Sequence, residues 1–388
     1  MKVLVTASCS EGLVLPLVPL SWALRARGHD VLVAAPANMA SVVADGGLPC
    51  SPCSGPVEMP QVLSRDRAGQ PVSMPRTEEG LLPHIGRGYA RLALHLIDGI
   101  RDLADQWRPD LIITETYGMA GPLIAAELGI PWVEHAIRLS SPAVITEAGA
   151  AELAPELEAL GLTGFPEPLV SVDVCPAGLR PARSAPAVKM RYLPYNGRVG
   201  DVPGWSLQPK RDQPRVCLTF GTRVPLSRSP IKGGLGLLKE LMDRLPKLGA
   251  EVVVGVSAEV ADDLGPLPAG VRSAGPLPLS QVLPACDAAV HHGGVGTTFT
   301  CLAAGVPQVT IPVIAEVWDT SRMLTAAGVA REVPFAAVSA DGVTQACASV
   351  LADASYRDNA ARIRQEIAAM PSAADLATVI EARQAGWG

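Results

Sequence analysis

The sequence predicts an α/β protein built from two doubly wound, Rossmann-like halves, and three observations carry that prediction. Continuous apolar runs of strand length alternate with helical periodicity from the N-terminus onward, which marks parallel sheets covered on both faces. A polar stretch rich in glycine and proline, Tyr195 to Pro214, interrupts the rhythm as a linker does. After it the same alternation restarts.

Taken in order, "KVLVTA" (2–7) reads as a strand, "LVLPLVPLSWALRAR" (13–27) as a helix stopped by Gly28, and "DVLVAAP" (30–36) as the next strand. "LLPHIGRGYARLALHLIDGI" (81–100) has helical spacing and carries His84, Tyr89 and His95. "DLIITE" (110–115), the helix "GPLIAAELG" (121–129) and "IPWVEHA" (130–136) follow, and "AELAPELEALGL" (151–162) reads as a solvated acidic helix. The second half begins with "RVCLTF" (215–220), a helix over 234–248, "EVVVGVS" (251–257) and the short helix "LSQVLPACD" (279–287). A strand at Ala288–Val290, a tight loop at Gly293–Gly296, a helix from Thr297 to Gly305 and a strand from Gln308 to Val313 then form one β-loop-α-β unit. Helical patterns at 341–353, 355–369 and 373–384 close the chain. The expected domains are 1–205 and 206–370, with 371–388 packing back onto the first.

The 388 residues are ample for two cores, and 48% hydrophobic against 18% charged residues indicates packed domains. A net charge of −6 without a basic stripe argues against nucleic acid as a partner. No run reaches membrane-spanning length, and the start lacks a cleavage signal, so a cytoplasmic protein without a membrane span is expected. Cys50 and Cys53 make a lone C-x-x-C with no second pair, so reduced, packed thiols and no metal are expected. A homodimer is compatible with the sequence.

Ligands of doubly wound sheets bind beyond the carboxyl ends of the strands. That rule selects "ASCSEG", "TETYG" and "EHAIRLSS" in the first half, and "GTRVPLS", "HHGGVGTT" and "PVIAEVWD" in the second. No G-x-G-x-x-G follows a first strand, no G-x-x-x-x-G-K-[ST] occurs, and no D-x-D pair is present to bridge a metal to a diphosphate. What fits is a metal-free anion site made of helix N–H groups, Thr297, Thr298 and a histidine.

"HHGGVGTTFTCLAAGVPQ", the E-G-x-x-x-P-L-x-P-L start at Glu11, "RPDLIITE", "LTFGTR" and "EIAAMPSAAD" together resemble the bacterial natural-product glycosyltransferases of the GT-B fold, two Rossmann-like domains facing a cleft. The likeness is closest to enzymes that attach deoxysugars to aromatic polyketides, including C-glycosyltransferases of urdamycin and tetracycline-type pathways. It implies a thymidine-diphosphate (TDP) sugar donor in the second domain, an aromatic polyketide acceptor in the first, and no cofactor. By the same likeness His292 falls on the phosphate-binding histidine, with Gly293, Gly294, Thr297 and Thr298 beside it. Gly221 and Thr222 fall on the loop that touches the diphosphate from the other side; Arg223, next in the loop, is read as reaching a phosphate or the sugar, with a surface role as the equal alternative. Glu316 falls on the acid that holds sugar hydroxyls, a role that suits a carboxylate acceptor. His291 is read as an inward-facing strand residue.

Two departures stand out. Where the family carries a base-stacking tryptophan, "GPLPLSQ" places Pro276, leaving base recognition to the backbone of Leu277 and Leu279. Where the family carries a general-base histidine, this chain has Leu13, preceded by Glu11 and Gly12. Glu11 is the leading substitute, with Glu134, His135, Glu316 and Asp319 as further candidates. An easily ionised phenol acceptor would lighten the task. Glu134, His135 and Arg138, just past a strand end, are expected to line the acceptor pocket. The resulting expectation is an inverting, metal-independent transfer of a deoxysugar, C-glycosylation favoured. O-glycosylation on the same scaffold, a sugar-nucleotide epimerase and a non-catalytic helper are the alternatives.

Overall fold

The computed structural model describes residues 1–180, 186–198, 200–208, 213–221 and 234–387. By contacts the chain divides into two compact units. The first is Met1–Cys175, Pro181–Arg198 and Met370–Gly388; the second is Pro176–Arg180 and Val199–Ala369.

The first unit holds a seven-stranded sheet. Its strands are β1 (Lys2–Thr6), β2 (Asp30–Pro36), β3 (Cys50–Ser54), β4 (Leu111–Glu115), β5 (Trp132–His135), β6 (Val170–Asp173) and β7 (Val188–Lys189). They lie in the order β3-β2-β1-β4-β5-β6-β7, and every pairing is parallel. β1 and β4 meet where the strand order reverses, so the loops after Thr6 and Glu115 diverge there and open a crevice. β4 is buried along its whole length, as a strand covered on both faces must be.

The expected first helix is broken into three pieces, Glu11–Val14, a 3₁₀ turn Leu15–Leu17, and Val18–Ala26. Pro16 and Pro19 each sit at the start of a new piece, where the missing N–H costs nothing. The 81–100 pattern is part of one long helix, Glu78–Trp107, whose N-cap Thr77 accepts a bond from the Gly80 N–H.

The last helix, Ala373–Gln384, starts with a capping box between Ser372 and Asp375. It is fastened to the first unit through Glu381. That carboxylate accepts from Arg27 Nε (2.7 Å) and Nη2 (2.5 Å) and from His29 Nε2 (2.7 Å). The Arg27 hydrogen bond is the main reason its pKa is lowered to about 2. A folded value below the unfolded one stabilises above the unfolded pKa and is lost as pH falls through the folded one. The melting temperature of Glu381→Gln should therefore lie below that of the parent near neutral pH, and the gap should close as pH falls towards 2; thermal melts across that range check it.

The second unit repeats the plan with six strands. They are β8 (Arg215–Thr219), β9 (Glu251–Gly255), β10 (Val271–Gly275), β11 (Ala288–His291), β12 (Gln308–Thr310) and β13 (Ala330–Glu332). The order β10-β9-β8-β11-β12-β13 is again all parallel, with β8 and β11 at the reversal. Side chains alternate across the sheet. Val216, Leu218, Val290 and Val309 face one core; Cys217 and Ala289 face the other, which takes in Cys301 of the helix Val295–Ala304. Gly305 ends that helix in the left-handed conformation, φ +70°.

Candidate active site

In the second unit the carboxyl ends of β8 and β11 lie side by side, Thr219 in register with His291. Each strand hands over to its loop in the same way. Thr219 Oγ1 accepts a hydrogen bond from the Gly221 N–H (3.2 Å), and His291 Nδ1 accepts one from the Gly293 N–H (3.1 Å). Both glycines have left-handed φ, +70° and +84°, which favours residues without a Cβ. Because Nδ1 of His291 accepts, its proton sits on Nε2, which donates to Gln308 Oε1 at 2.8 Å. The ring is fully buried, and burial pushes its pKa down to about 4. It is a neutral structural group.

The second histidine of the pair is placed differently. The His292 ring rests against two glycines: a Cβ on Gly221 would lie 2.5 Å from its Cε1, and one on Gly294 would lie 2.4 Å from its Nε2. Gly294 is also the N-cap of the helix Val295–Ala304 and makes no side-chain cap bond. The first-turn N–H groups of this helix have no partner within it, and they add to the positive end of its dipole. Thr297, 7% exposed, lies in that turn. Thr298 is fully buried, its N–H bonding to Gly294 O (2.9 Å) and its hydroxyl to Gly293 O (3.4 Å). Its side chain holds the loop.

Glu316 is half-buried in the turn Ala315–Val317. Val317 packs close to Gly293, where an added Cβ would lie 3.2 Å from its Cγ2. The turn precedes the helix Trp318–Ala326, which is tied to the sheet through Thr310 Oγ1 and Ser321 Oγ, 2.6 Å apart. Asp319 is paired with Arg322 at 2.6 Å. Leu277 and Leu279 follow β10 and pack, partly buried, on the Cys217–Ala289 core. Thr222 and Arg223 lie outside the described residues.

In the first unit Glu11 opens the helix Glu11–Val14 and is half-buried, while a Cβ on Gly12 would meet nothing within 4 Å. Glu134 is partly buried and accepts from Ser171 Oγ (3.2 Å), with burial raising its pKa. His135 is buried, donates from Nδ1 to Ala136 O (2.9 Å), and has its pKa lowered by burial to about 4. Arg138 stacks on Tyr117, 5.2 Å from the ring centre, and Tyr117 stacks in turn on Tyr89 at 4.8 Å. His84 is buried, whereas His95 is exposed.

One pair escaped the sequence reading. Glu115, 1% exposed, accepts from Ser8 Oγ (2.6 Å) and from the Tyr117 N–H (2.8 Å). Burial raises its pKa; the two hydrogen bonds and the Arg138 charge oppose that. This carboxyl joins the β1 loop to the β4 loop at the reversal point. The signal was available, since both loops were selected by the strand-end rule, but a glutamate closing an apolar run reads equally well as solvent-facing.

Residues 22–221 match the family described as Erythromycin biosynthesis protein CIII-like, N-terminal domain, and residues 239–382 match its C-terminal domain. The glycosyltransferase SsfS6 of Streptomyces sp. SF2575, solved complexed with thymidine diphosphate, is 54% identical, with a TM-score of 0.89 over 98% of this chain and 99% of that one. The spinosyn rhamnosyltransferase SpnG, also complexed with thymidine diphosphate, is 28% identical, with a TM-score of 0.85 over 98% and 100%. The L-demethylnoviosyl transferase of Streptomyces niveus is 37% identical over 99% of this chain and 98% of its own.

Proposed function

Because the chain belongs to the EryCIII-like family of natural-product glycosyltransferases and is itself a glycosyltransferase of the GT-B fold, we propose that it moves a deoxysugar from a TDP-sugar to an aromatic polyketide in antibiotic biosynthesis. One observation carries the donor half of this reading: His292, seated on Gly221 and Gly294, stands beside a helix N-terminus that has no side-chain cap among the described residues, at the strand-order reversal of the second unit. That is a preorganised set of donors for a diphosphate, and two solved relatives hold thymidine diphosphate.

The reaction we infer is an inverting displacement. The acceptor attacks the anomeric carbon on the face opposite the diphosphate, and the C1–O bond breaks with its electron pair going to the leaving phosphate. His292 and the N–H groups of the first helical turn take up that charge. Glu316 orients the sugar by accepting from its hydroxyls, and Leu277 and Leu279 frame the base. On the acceptor side Glu11 takes the proton, with Gly12, Glu134, His135 and Arg138 lining the pocket. The aromatic stack of Arg138, Tyr117 and Tyr89 suits a flat acceptor. A phenol ionises readily, and its ortho carbon is then the nucleophile, so a C-glycoside is the favoured product.

Incubation with a panel of TDP-deoxysugars and polyketide aglycones, read by mass spectrometry, tests the class of reaction, and NMR of the anomeric linkage tells a C–C from a C–O bond. Absence of transfer from every TDP donor would overturn the donor reading. Glu11→Gln is expected to lower turnover by about 10²-fold or more, within the range of a lost general base; unchanged turnover would remove Glu11 from that role.

A further inference from the structure

The carboxyl ends of three neighbouring strands in the second unit carry a row of polar side chains on one face. Thr219 of β8, His291 of β11 and Thr310 of β12 stand in register, and all three are buried. Buried polar groups need partners, and each of these bonds to the segment that follows its own strand. Thr219 takes the Gly221 N–H, His291 takes the Gly293 N–H, and Thr310 joins Ser321. Those segments carry the pieces of the donor site: Gly221 and Gly294 seat His292, and the Thr310–Ser321 link holds the helix that follows Glu316.

We infer that Thr219 and His291 are positioning residues whose side-chain acceptors fix the two glycine turns and, through them, the placement of His292 and the open helix N-terminus. The inference rests on the donor reading above for its effect on ligand, and on the two turns alone for its effect on structure. Gln308 completes the device. Its Oε1 holds the His291 proton on Nε2, which leaves Nδ1 as the acceptor. Thr219 performs the same i-to-i+2 capture with a hydroxyl, so the turn needs an acceptor atom at that place and not an imidazole as such.

This gives an ordering that packing alone does not give. His291→Leu fills the buried space better than His291→Asn, but only asparagine keeps an acceptor for the i+2 N–H. A turn left unanchored populates its binding geometry only part of the time, and apparent affinity falls by that fraction. An unsatisfied buried N–H corresponds to a loss of about 5- to 150-fold. TDP affinity, measured by calorimetry on the full chain, should fall by about tenfold or more in His291→Leu and stay within about threefold of the parent in His291→Asn. Thr219→Val should lose affinity severalfold and Thr219→Ser should keep it. Amide exchange of the ligand-free protein reads the anchor directly: the Gly293 N–H should be protected in the parent and in His291→Asn and exposed in His291→Leu. The Thr219 pair and the exchange measurement decide the matter even where His291→Leu folds poorly. Parent protein that fails to bind TDP would overturn the donor reading, with exchange still judging the turns. Equal TDP binding by Thr219→Val and the parent, or leucine outperforming asparagine at 291, would overturn the positioning role.

Discussion

His292→Ala is expected to lower turnover by about 10²–10³-fold, the usual cost of removing one preorganised donor from a developing oxyanion. The loss should fall mainly on kcat, because charge on the departing diphosphate is greatest in the transition state. TDP itself carries part of that charge in the product complex, so its affinity should weaken too, by less. The substitution leaves the fold intact on physical grounds. The ring is held at the loop surface of the sheet, 9% exposed, not inside either core cluster, and its removal leaves the Thr219 and His291 anchors in place. Steady-state kinetics with a competent donor and acceptor, beside a thermal melt of the same preparation, check both halves. Retention of more than a tenth of parental kcat would remove His292 from the leaving-group role.

The histidine pair shows how much of the site could be read before the structure. The glycine cluster after an apolar strand fixed the helix start to within two residues, and the helix runs Val295–Ala304 to Gly305. The division of labour between His291 inside and His292 at the loop also follows from strand alternation. The strand-end rule selected the loop after "LTF" as well, but nothing in it announces that Gly221 touches His292, because that contact depends on the order of strands in the sheet. The strands that went unseen were the weak ones. β10 is half-buried along its middle and shows no alternation, while β6 has four residues, β13 three and β7 two, too few for a period to count. β3, "CSPCS", carries a proline and little apolar side chain, and its place at the sheet edge is where a strand tolerates that. The expected strand to Val313 stops at Thr310, since Pro312 has no N–H for a ladder. On the acceptor side the Ser8–Glu115 pair depends on 107 residues of separation in sequence, beyond any local pattern.

The glycines against His292 allow a sharper test than the histidine alone. Gly294 has an ordinary backbone, φ −58°, so alanine there is opposed only by the ring: its Cβ would lie 2.4 Å from Nε2. Gly221 is opposed twice, by a 2.5 Å approach to Cε1 and by its own φ of +70°. In the parent, both Gly294→Ala and Gly221→Ala should displace the imidazole and lower kcat by about 10²-fold, close to the loss of the donor itself. In a His292→Ala background the two should separate. Gly294→Ala loses its clash and retains only the lesser fitness of alanine at an N-cap, about 1 kcal/mol or less of stability. Gly221→Ala keeps the left-handed strain, about 1–2 kcal/mol. The couplings of 292 with 294 and with 221 should therefore both be large, because the strain at 221 is present in both backgrounds and cancels; it shows instead as the larger residual cost of Gly221→Ala once the ring is gone. Denaturant melts and TDP affinity across the two double-mutant cycles measure both couplings. Additive losses at 292 and 294 would mean that the ring does not sit where the glycine permits it, and the geometry assigned to the leaving-group site would have to be abandoned.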